Sequence, residues 1–393
     1  MDISTILLPD IQRFITNNIG KEVSQLALQK NPFPEVDWPS ILNQIAAKTK
    51  AKHKLPTFFN AQNIIFPSKI AVEQTSSEIT ALYKSRIVSG KSMIDLSGGF
   101  GVDTYFFSKK VNHIIHCEIN ESLSLIAKNN FKALNQTNII GYNGDSTVIL
   151  EQLNQQFDWI YIDPSRRHES KGKVFLLKDC VPNVAENLDF YFKYSNNILI
   201  KTATLLDITA GLKELHFVKN IHVVALDNEV KELLWEIQNN YTGNITIKTI
   251  NITKNEEITF DFYNDSNEDY ALYNLPQKYI YEPNAAIMKS GGFQAICTAF
   301  QVPKLHQNSH LYTSNELITF PGRIFKVENV FVYQKNELKK YIENQKMNVS
   351  CRNFPESVDV IKKKWKIKDG GNSYCFFTTN LNNQKIVLIC TKI

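Results

Sequence analysis

Residues Asp95 to Thr104 read DLSGGFGVDT and come directly after the apolar pair Met93-Ile94. A short apolar strand that runs into glycines and then into Tyr105-Phe106-Phe107 is a strand–turn–helix unit, the arrangement with which an open α/β sheet seats a nucleotide-like ligand. Gly99 and Gly101 allow positive φ and close approach of backbone to ligand, and the first turn of the next helix offers N–H groups without intrahelical partners. A Gly-x-Gly turn also occurs where nothing binds. Acidic residues at the ends of the later strands give this one its weight.

From about Ser68 to Asn240 the pattern alternates between helix and short apolar strand. Helix 76–88 leads to strand 93–96, helix 103–110 to strand 113–118, and helix 122–135 to strand 139–142. Helix 146–153 then precedes strand 159–162, a long helical stretch 178–192 precedes strand 197–201, and helix 208–215 precedes strand 222–226. Strands separated by helices imply βαβ units and a doubly wound, mainly parallel α/β sheet, with ligands at the carboxyl ends of the strands. Residues 1–67 show helical periodicity instead, with NPFPEVDWPS (31–40) as punctuation and a basic run KTKAKHK (48–54) at a helix end. After Asn240 the pattern turns to strand-like alternation, and residues 276–325 and 326–393 look like two small α+β modules, the second ending in a hairpin of 374–380 with 385–393.

Four carboxylates close successive candidate strands: Asp95, Glu118 (HCEIN), Asp145 after Gly144 (YNGDS), and Asp163 (YIDPSRR). Each alone could be a turn or helix N-cap residue, Asp145-Ser146 above all. The set of four is harder to explain that way. Two look-alikes fail. Ser89-Gly90-Lys91-Ser92 precedes its strand and has Ser85 where a phosphate loop needs glycine, and Gly99-x-Gly101-x-x-Thr104 lacks the third glycine of a dinucleotide fingerprint.

In that order these residues resemble the class I S-adenosylmethionine-dependent methyltransferases, whose sheet is Rossmann-like. The resemblance implies a domain over 68–262 that binds S-adenosyl-L-methionine, with Asp95, Gly99 and Gly101 at its amino-acid part, Glu118 at the ribose hydroxyls, Asp145 at the adenine amine, and Asp163 beside the sulfonium. The segment Val72-Glu73-Gln74-Thr75-Ser76 looks like the upstream helix entry that brings a hydroxyl or amide near the ligand's carboxylate. More narrowly, YEPNAAIMKSGG (281–292), KLHQNSHLYTS (304–314), FPGRIFKV (320–327) and the tail from Asn353 to Thr379 are similar to a bacterial methyltransferase family. That family carries a ferredoxin-like module, here 276–325, and a C-terminal THUMP-like domain, here 326–393. Membership implies RNA, tRNA or rRNA, as the methyl acceptor, because THUMP domains bind RNA.

The turn Asp163-Pro164-Ser165-Arg166-Arg167 departs from the pattern of enzymes that methylate exocyclic base nitrogens, which place a second proline and an aromatic ring after the acid. Asp163 and Pro164 are the candidate catalytic pair, positioning the acceptor. Arg166 and Arg167 would grip phosphate or stack on a base, and Lys201, at the end of the next strand (ILIKTAT), is a further neighbour. Cys180, alone on an apolar stretch, reads as core. The run Lys362-Lys363-Lys364-Trp365 combines cations with an aromatic, as nucleic-acid surfaces do, so Lys362 and Lys364 are candidate RNA contacts. A helix end with Trp365 in the core and lysines in water explains the same run.

Composition sets the bounds. The chain has 393 residues, 43% of them hydrophobic and 21% charged, which makes it a globular protein of more than one domain. Six dispersed cysteines without a CxxC pair argue for reduced thiols and against a zinc site. The N-terminus lacks a leader pattern and no window is apolar enough to span a membrane, so a cytoplasmic location is expected. Residues 276–393 hold 17 Lys or Arg against 8 Asp or Glu, while the rest of the chain is net acidic. A polyanion is the natural partner for such a tail. Two other readings stay open: a non-catalytic RNA-binding protein that keeps a methyltransferase scaffold, and a methyltransferase of a small molecule or protein.

Overall fold

A computed structural model of the chain describes residues 3–166, 176–264 and 270–393. Its backbone forms two units, Met1–Lys219 with Leu234–Thr242, and Asn220–Leu233 with Gly243–Ile393.

In the first unit the strands are β1 (Gly90–Asp95), β2 (Val111–Glu118), β3 (Ile139–Asn143), β4 (Trp159–Ile162), the two-residue β5 (Ser165–Arg166) and β6 (Cys180–Val181), and β7 (Asn197–Thr202). The long strands lie in the order β3-β2-β1-β4-β7, all parallel. Chain order reverses between β1 and β4, and such a switch point leaves a crevice beyond the strand ends. Strand β4, WIYI, is buried at every position, as a strand covered on both faces must be.

The N-terminal helices Pro9–Asn17, Trp38–Lys54 and Pro56–Asn60 pack their apolar faces on the helices that come after β1 and β2. Phe58 and Phe66 are fully buried there beside Phe100, and burying each ring contributes roughly 1.5–3 kcal/mol. The link 61–68 is not regular, yet its stretch 64–67 is buried, so the backbone groups there need partners. Two side-chain amides supply them. Gln44 accepts from Phe66 N–H (2.9 Å) and donates to its carbonyl (2.6 Å), and Asn130 does the same for Ile65 at 2.9 and 2.8 Å. This clamp delivers the helix Lys69–Gln74 to the crevice. In the basic run, Lys50 pairs with Glu73 on that helix at 3.1 Å.

The expected helix over 178–192 is shorter. Pro182 has no N–H and biases the preceding residue to extended backbone, so Cys180–Val181 forms β6 against β5, and the helix starts at Val184 with Asn183 as its cap. Cys180 is fully buried. A strand that the periodicity did not announce, β9 (Glu229–Gln238, EVKELLWEIQ), succeeds β8 (Val218–Leu226) through Asp227 and Asn228, both at positive φ. Two successive left-handed residues make the tight hairpin turn that overrides the helix-forming Glu, Lys and Leu of the strand.

In the second unit β10 (Thr246–Ile252) runs parallel to β8, and β11 (Glu257–Tyr263) is antiparallel to β10. The C-terminal strands are β12 (Tyr279–Pro283), β13 (Tyr312–Ser314), β14 (Gly322–Val332), β15 (Asn348–Arg352), β16 (Ser373–Thr379) and β17 (Lys385–Lys392). They form one six-stranded sheet in the order β13-β12-β14-β17-β16-β15, with the expected hairpin as β16 and β17. Among the described residues no helix is long and apolar enough to cross a membrane, and no cluster of three or more His, Cys, Asp or Glu could hold a metal.

A candidate cofactor cleft at the carboxyl edge of the sheet

The carboxyl ends of β1 to β4 open on one cleft of about 470 Å³. Asp95, Ser97, Gly98, Gly99, Glu118, Asp145 and Asp163 all line it, and so do Gln74, Thr75 and Ser76 from the upstream entry. Gly101, expected beside the ligand, does not line the cleft and packs against Phe131 instead.

Asp95 is buried and turned to the loop. Its Oδ1 accepts from Ser97 N–H at 2.9 Å and its Oδ2 from the Thr104 hydroxyl at 2.6 Å, so the carboxylate ties both ends of the glycine loop to β1. Burial raises its pKa to about 7, against the pull of those hydrogen bonds and with a push from Asp103 and Asp163. At two of its glycines the loop also has no room for a side chain. A Cβ on Gly98 would lie 2.3 Å from Nε2 of His116, and one on Gly101, at φ +85°, would lie 2.5 Å from the Phe131 ring. His116 is fully buried, which lowers its pKa to about 4 and leaves a neutral imidazole as the floor of the turn.

Glu118 ends β2 with each oxygen engaged once: Gly99 N–H donates to Oε2 at 2.8 Å and Asn120 N–H to Oε1 at 2.7 Å. A carboxylate oxygen accepts two hydrogen bonds, so each retains one position for a ligand hydroxyl. Asp145 is a helix N-cap, its Oδ1 accepting from Thr147 and Val148 N–H at 2.8 and 3.2 Å. Its Oδ2 has no hydrogen-bond partner among the described residues.

Asp163 comes just after β4. Its N–H donates to the Ser97 hydroxyl at 2.6 Å, and its Oδ2 accepts from Lys201 Nζ, at the end of β7, at 2.5 Å. Beneath this pair lies a charge cluster that sequence reasoning missed. Lys84, with no exposed side-chain surface, sits 3.2 Å from Asp103 Oδ1, while Oδ2 accepts from Ser76 at 2.8 Å and from the Tyr161 hydroxyl at 2.9 Å. Burial opposes the charge on Asp103, but Lys84, Lys201 and the two hydroxyls hold its carboxyl below the usual range. Ser76 and Asp103 both stood inside quoted motifs. Lys84, in TALYKS, carries no mark that separates it from a solvated helix lysine.

Pro164 continues the turn beyond Asp163, and the backbone of Arg166 pairs with Cys180. Arg167 lies outside the described residues. On the C-terminal helix Val358–Trp365, Lys362 pairs with Asp369 at 2.6 Å, and Lys364 with Glu356 at 3.0 Å and the Tyr333 hydroxyl at 2.8 Å. Trp365 is buried.

The fold and the cleft define a methyltransferase-type α/β domain. Over its whole length the chain is similar to the crystal structure of a "putative methyltransferase" from Porphyromonas gingivalis W83, with 29% identity, a TM-score of 0.89, and 100% of this chain and 99% of that chain covered. Residues 279–321 match a ferredoxin-like domain and residues 322–392 a THUMP-like domain. The chain therefore joins a methyltransferase-type sheet to these two domains, the combination its sequence resembles. A TrmK structure from M. capricolum with S-adenosylhomocysteine is similar at 15% identity over 41% of this chain and 68% of that chain, with a TM-score of 0.31. A structure described as a "putative RNA methyltransferase" from Pyrococcus horikoshii covers 39% of this chain and 74% of its own at 16% identity, with a TM-score of 0.28. Among curated proteins none matches.

Proposed function

We propose that the protein is an S-adenosyl-L-methionine-dependent methyltransferase that acts on RNA. The observation that supports this most directly is the gathering of Asp95, Glu118, Asp145 and Asp163 on one cleft, beside a loop with no room for a side chain at Gly98 or Gly101. The residues suit the cofactor. Glu118 keeps one acceptor position on each oxygen for a ribose diol, Asp145 keeps Oδ2 for an exocyclic amine, and Gln74, Thr75 and Ser76 offer polar groups to an amino-acid carboxylate.

When bound, the cofactor supplies a methyl group on a sulfonium that is its own leaving group, so little acid–base chemistry is asked of the protein. Its residues position and exclude water. Asp163, held by Lys201 and by the Ser97 hydroxyl, fixes the acceptor side of the cleft, and Pro164 directs the chain away from it. Ser165, which also lines the cleft, and Arg166 stand where a second proline and an aromatic clamp would be needed for an exocyclic amine, and this favours a different acceptor atom.

The THUMP-like domain and the basic surplus of residues 276–393 support RNA as the acceptor. Arg166 and Arg167, beside the catalytic turn, are assigned to it. Lys362 and Lys364 are assigned to phosphate contacts, because ion pairs as exposed as theirs contribute only about 0–1 kcal/mol and exchange readily for phosphate. Calorimetry tests the cofactor: micromolar binding that is lost in Glu118→Ala supports the reading, and an absence of binding to the native protein overturns it. Mass spectrometry of nucleosides from cells with and without the gene then identifies the modified base. An unchanged nucleoside profile would rule out RNA as the acceptor.

A further inference from the structure

Within the second unit a separate pocket of about 360 Å³ opens beside the β8–β9 turn, lined by Asp227, Asn228, Asn251, Asn284, Arg323 and Lys392 among others. Its three asparagines are arranged alike. Asn228 Oδ1 accepts from Ala285 N–H at 2.8 Å, Asn251 Oδ1 from Asn228 N–H at 2.8 Å, and Asn284 Oδ1 from Ile287 N–H at 3.1 Å. A backbone N–H can only donate, so each contact fixes which end of the amide is oxygen and leaves an NH₂ group as the remaining functional end. Asn284 is 3% exposed, and its Nδ2 has no partner among the described residues, an arrangement that a fold does not ordinarily carry without a use.

Two cations complete the donor set. Arg323 gives Nε and Nη2 to the buried Glu282, which Arg352 also binds, so that carboxylate is shared by two guanidinium groups and Nη1 of Arg323 remains for another acceptor. Lys392, the last residue of β17, makes no ion pair among the described residues. Convergent amide, guanidinium and ammonium donors without a matching acceptor are the chemistry of a phosphate site. Asp227, on the exposed turn, adds one carboxylate. It would repel a bare anion but accepts from a hydroxyl, and a ribonucleotide carries a phosphate and a 2′-hydroxyl together.

We propose that this pocket holds one ribonucleotide of the RNA, its phosphate toward Arg323, Lys392 and the Asn284 amide and its 2′-hydroxyl on Asp227. The proposal rests on RNA being the substrate and adds where a nucleotide away from the methylated one is read. Glu282 and Asn284 of the YEPN run and Arg323 of FPGRIFKV, which carry the family resemblance and not the cofactor reading, gain a role here.

The test uses the full chain, with cytidine 5′-monophosphate and its 2′-deoxy form as probes in calorimetry. The ribonucleotide should bind, about tenfold more weakly in Lys392→Ala, and several-fold more tightly than the deoxy form in the native protein. Asp227→Gly, which suits the same left-handed turn and removes the acceptor, should bring the two probes to equal affinity. Glu118→Ala, which disables the cofactor cleft, should leave this binding intact. Binding that is unchanged in Lys392→Ala, that vanishes in Glu118→Ala, or that ignores the 2′-hydroxyl overturns the proposal, as does absence of binding. If cofactor binding fails while the ribonucleotide binds as described, the methyltransferase reading falls and the pocket stands.

Discussion

Lys201 Nζ lies 2.5 Å from Asp163 Oδ2, joining the end of β7 to the turn after β4 across 38 residues of sequence. The pair is only part-buried, with side-chain exposures of 15% for Lys201 and 35% for Asp163, and it stands above the fully buried Lys84 that holds Asp103. Two lysines thus balance three neighbouring carboxylates, Asp95, Asp103 and Asp163. These contacts hold Asp163 in place at the edge of the cleft.

Replacing Lys201 by Met should therefore disturb placement more than binding. Methyl transfer is expected to fall by about 100-fold in kcat, the scale of a misplaced reacting group, with cofactor affinity changed by less than about threefold. Lys201→Arg should recover part of the loss. Single-turnover rates alongside calorimetry check this, and equal losses in both would assign Lys201 to cofactor binding instead.

Glu118→Gln should weaken cofactor binding by roughly 10- to 100-fold. A glutamine cannot accept at both ends, so its NH₂ would face either Gly99 N–H or Asn120 N–H, and a charge-assisted hydrogen bond worth about 1.5–3 kcal/mol is lost. Titration of S-adenosylhomocysteine measures it.

Gly98→Ala should destabilise the fold and abolish cofactor binding, because its Cβ meets the His116 ring rather than open space. The collision is local, so adding His116→Ala should restore a large share of the stability. A double-mutant cycle by urea denaturation reads the coupling, and additive losses would show that the ring is not the obstacle.

Asp95 carries a pH signature. Its folded-state pKa of about 7 lies above the usual 3.8, so between those values the folded protein holds a proton that the unfolded chain has released. Its contribution to stability is therefore fully present below about pH 4 and is lost as pH rises through 7. Asp95→Asn keeps an oxygen for Ser97 N–H and an amide for the Thr104 hydroxyl, and should raise the melting temperature by a few degrees at pH 8 but not at pH 4. A pH-independent difference would count against the buried carboxylate as its cause.

Much of the cofactor cleft was legible in advance. Strands β1 to β4 and the helix Ser146–Leu153 can be read from apolar runs and caps; Asp95 and Glu118 end their strands, while Asp163 and Asp145 follow one and two residues after theirs. Elsewhere local signals misled. Pro182, overlooked inside an apolar stretch, shortens a helix, and EVKELLWEIQ is a strand because Asp227 and Asn228 turn the chain back before a helix can start. Lys362 and Lys364 read as a free basic run, while their ion-pair partners Asp369 and Glu356 come from neighbouring turns.

By itself the sequence determined the βαβ alternation and the placing of acids at strand ends, because hydrophobic period and turn chemistry act over a few residues. Only the tertiary structure decided that β4 lies next to β1, that Lys201 reaches Asp163, that Lys84 is buried against Asp103, and that three asparagines turn their amides into one pocket. Those contacts join positions tens of residues apart, and their partners are chosen by strand order and packing, which no local pattern encodes.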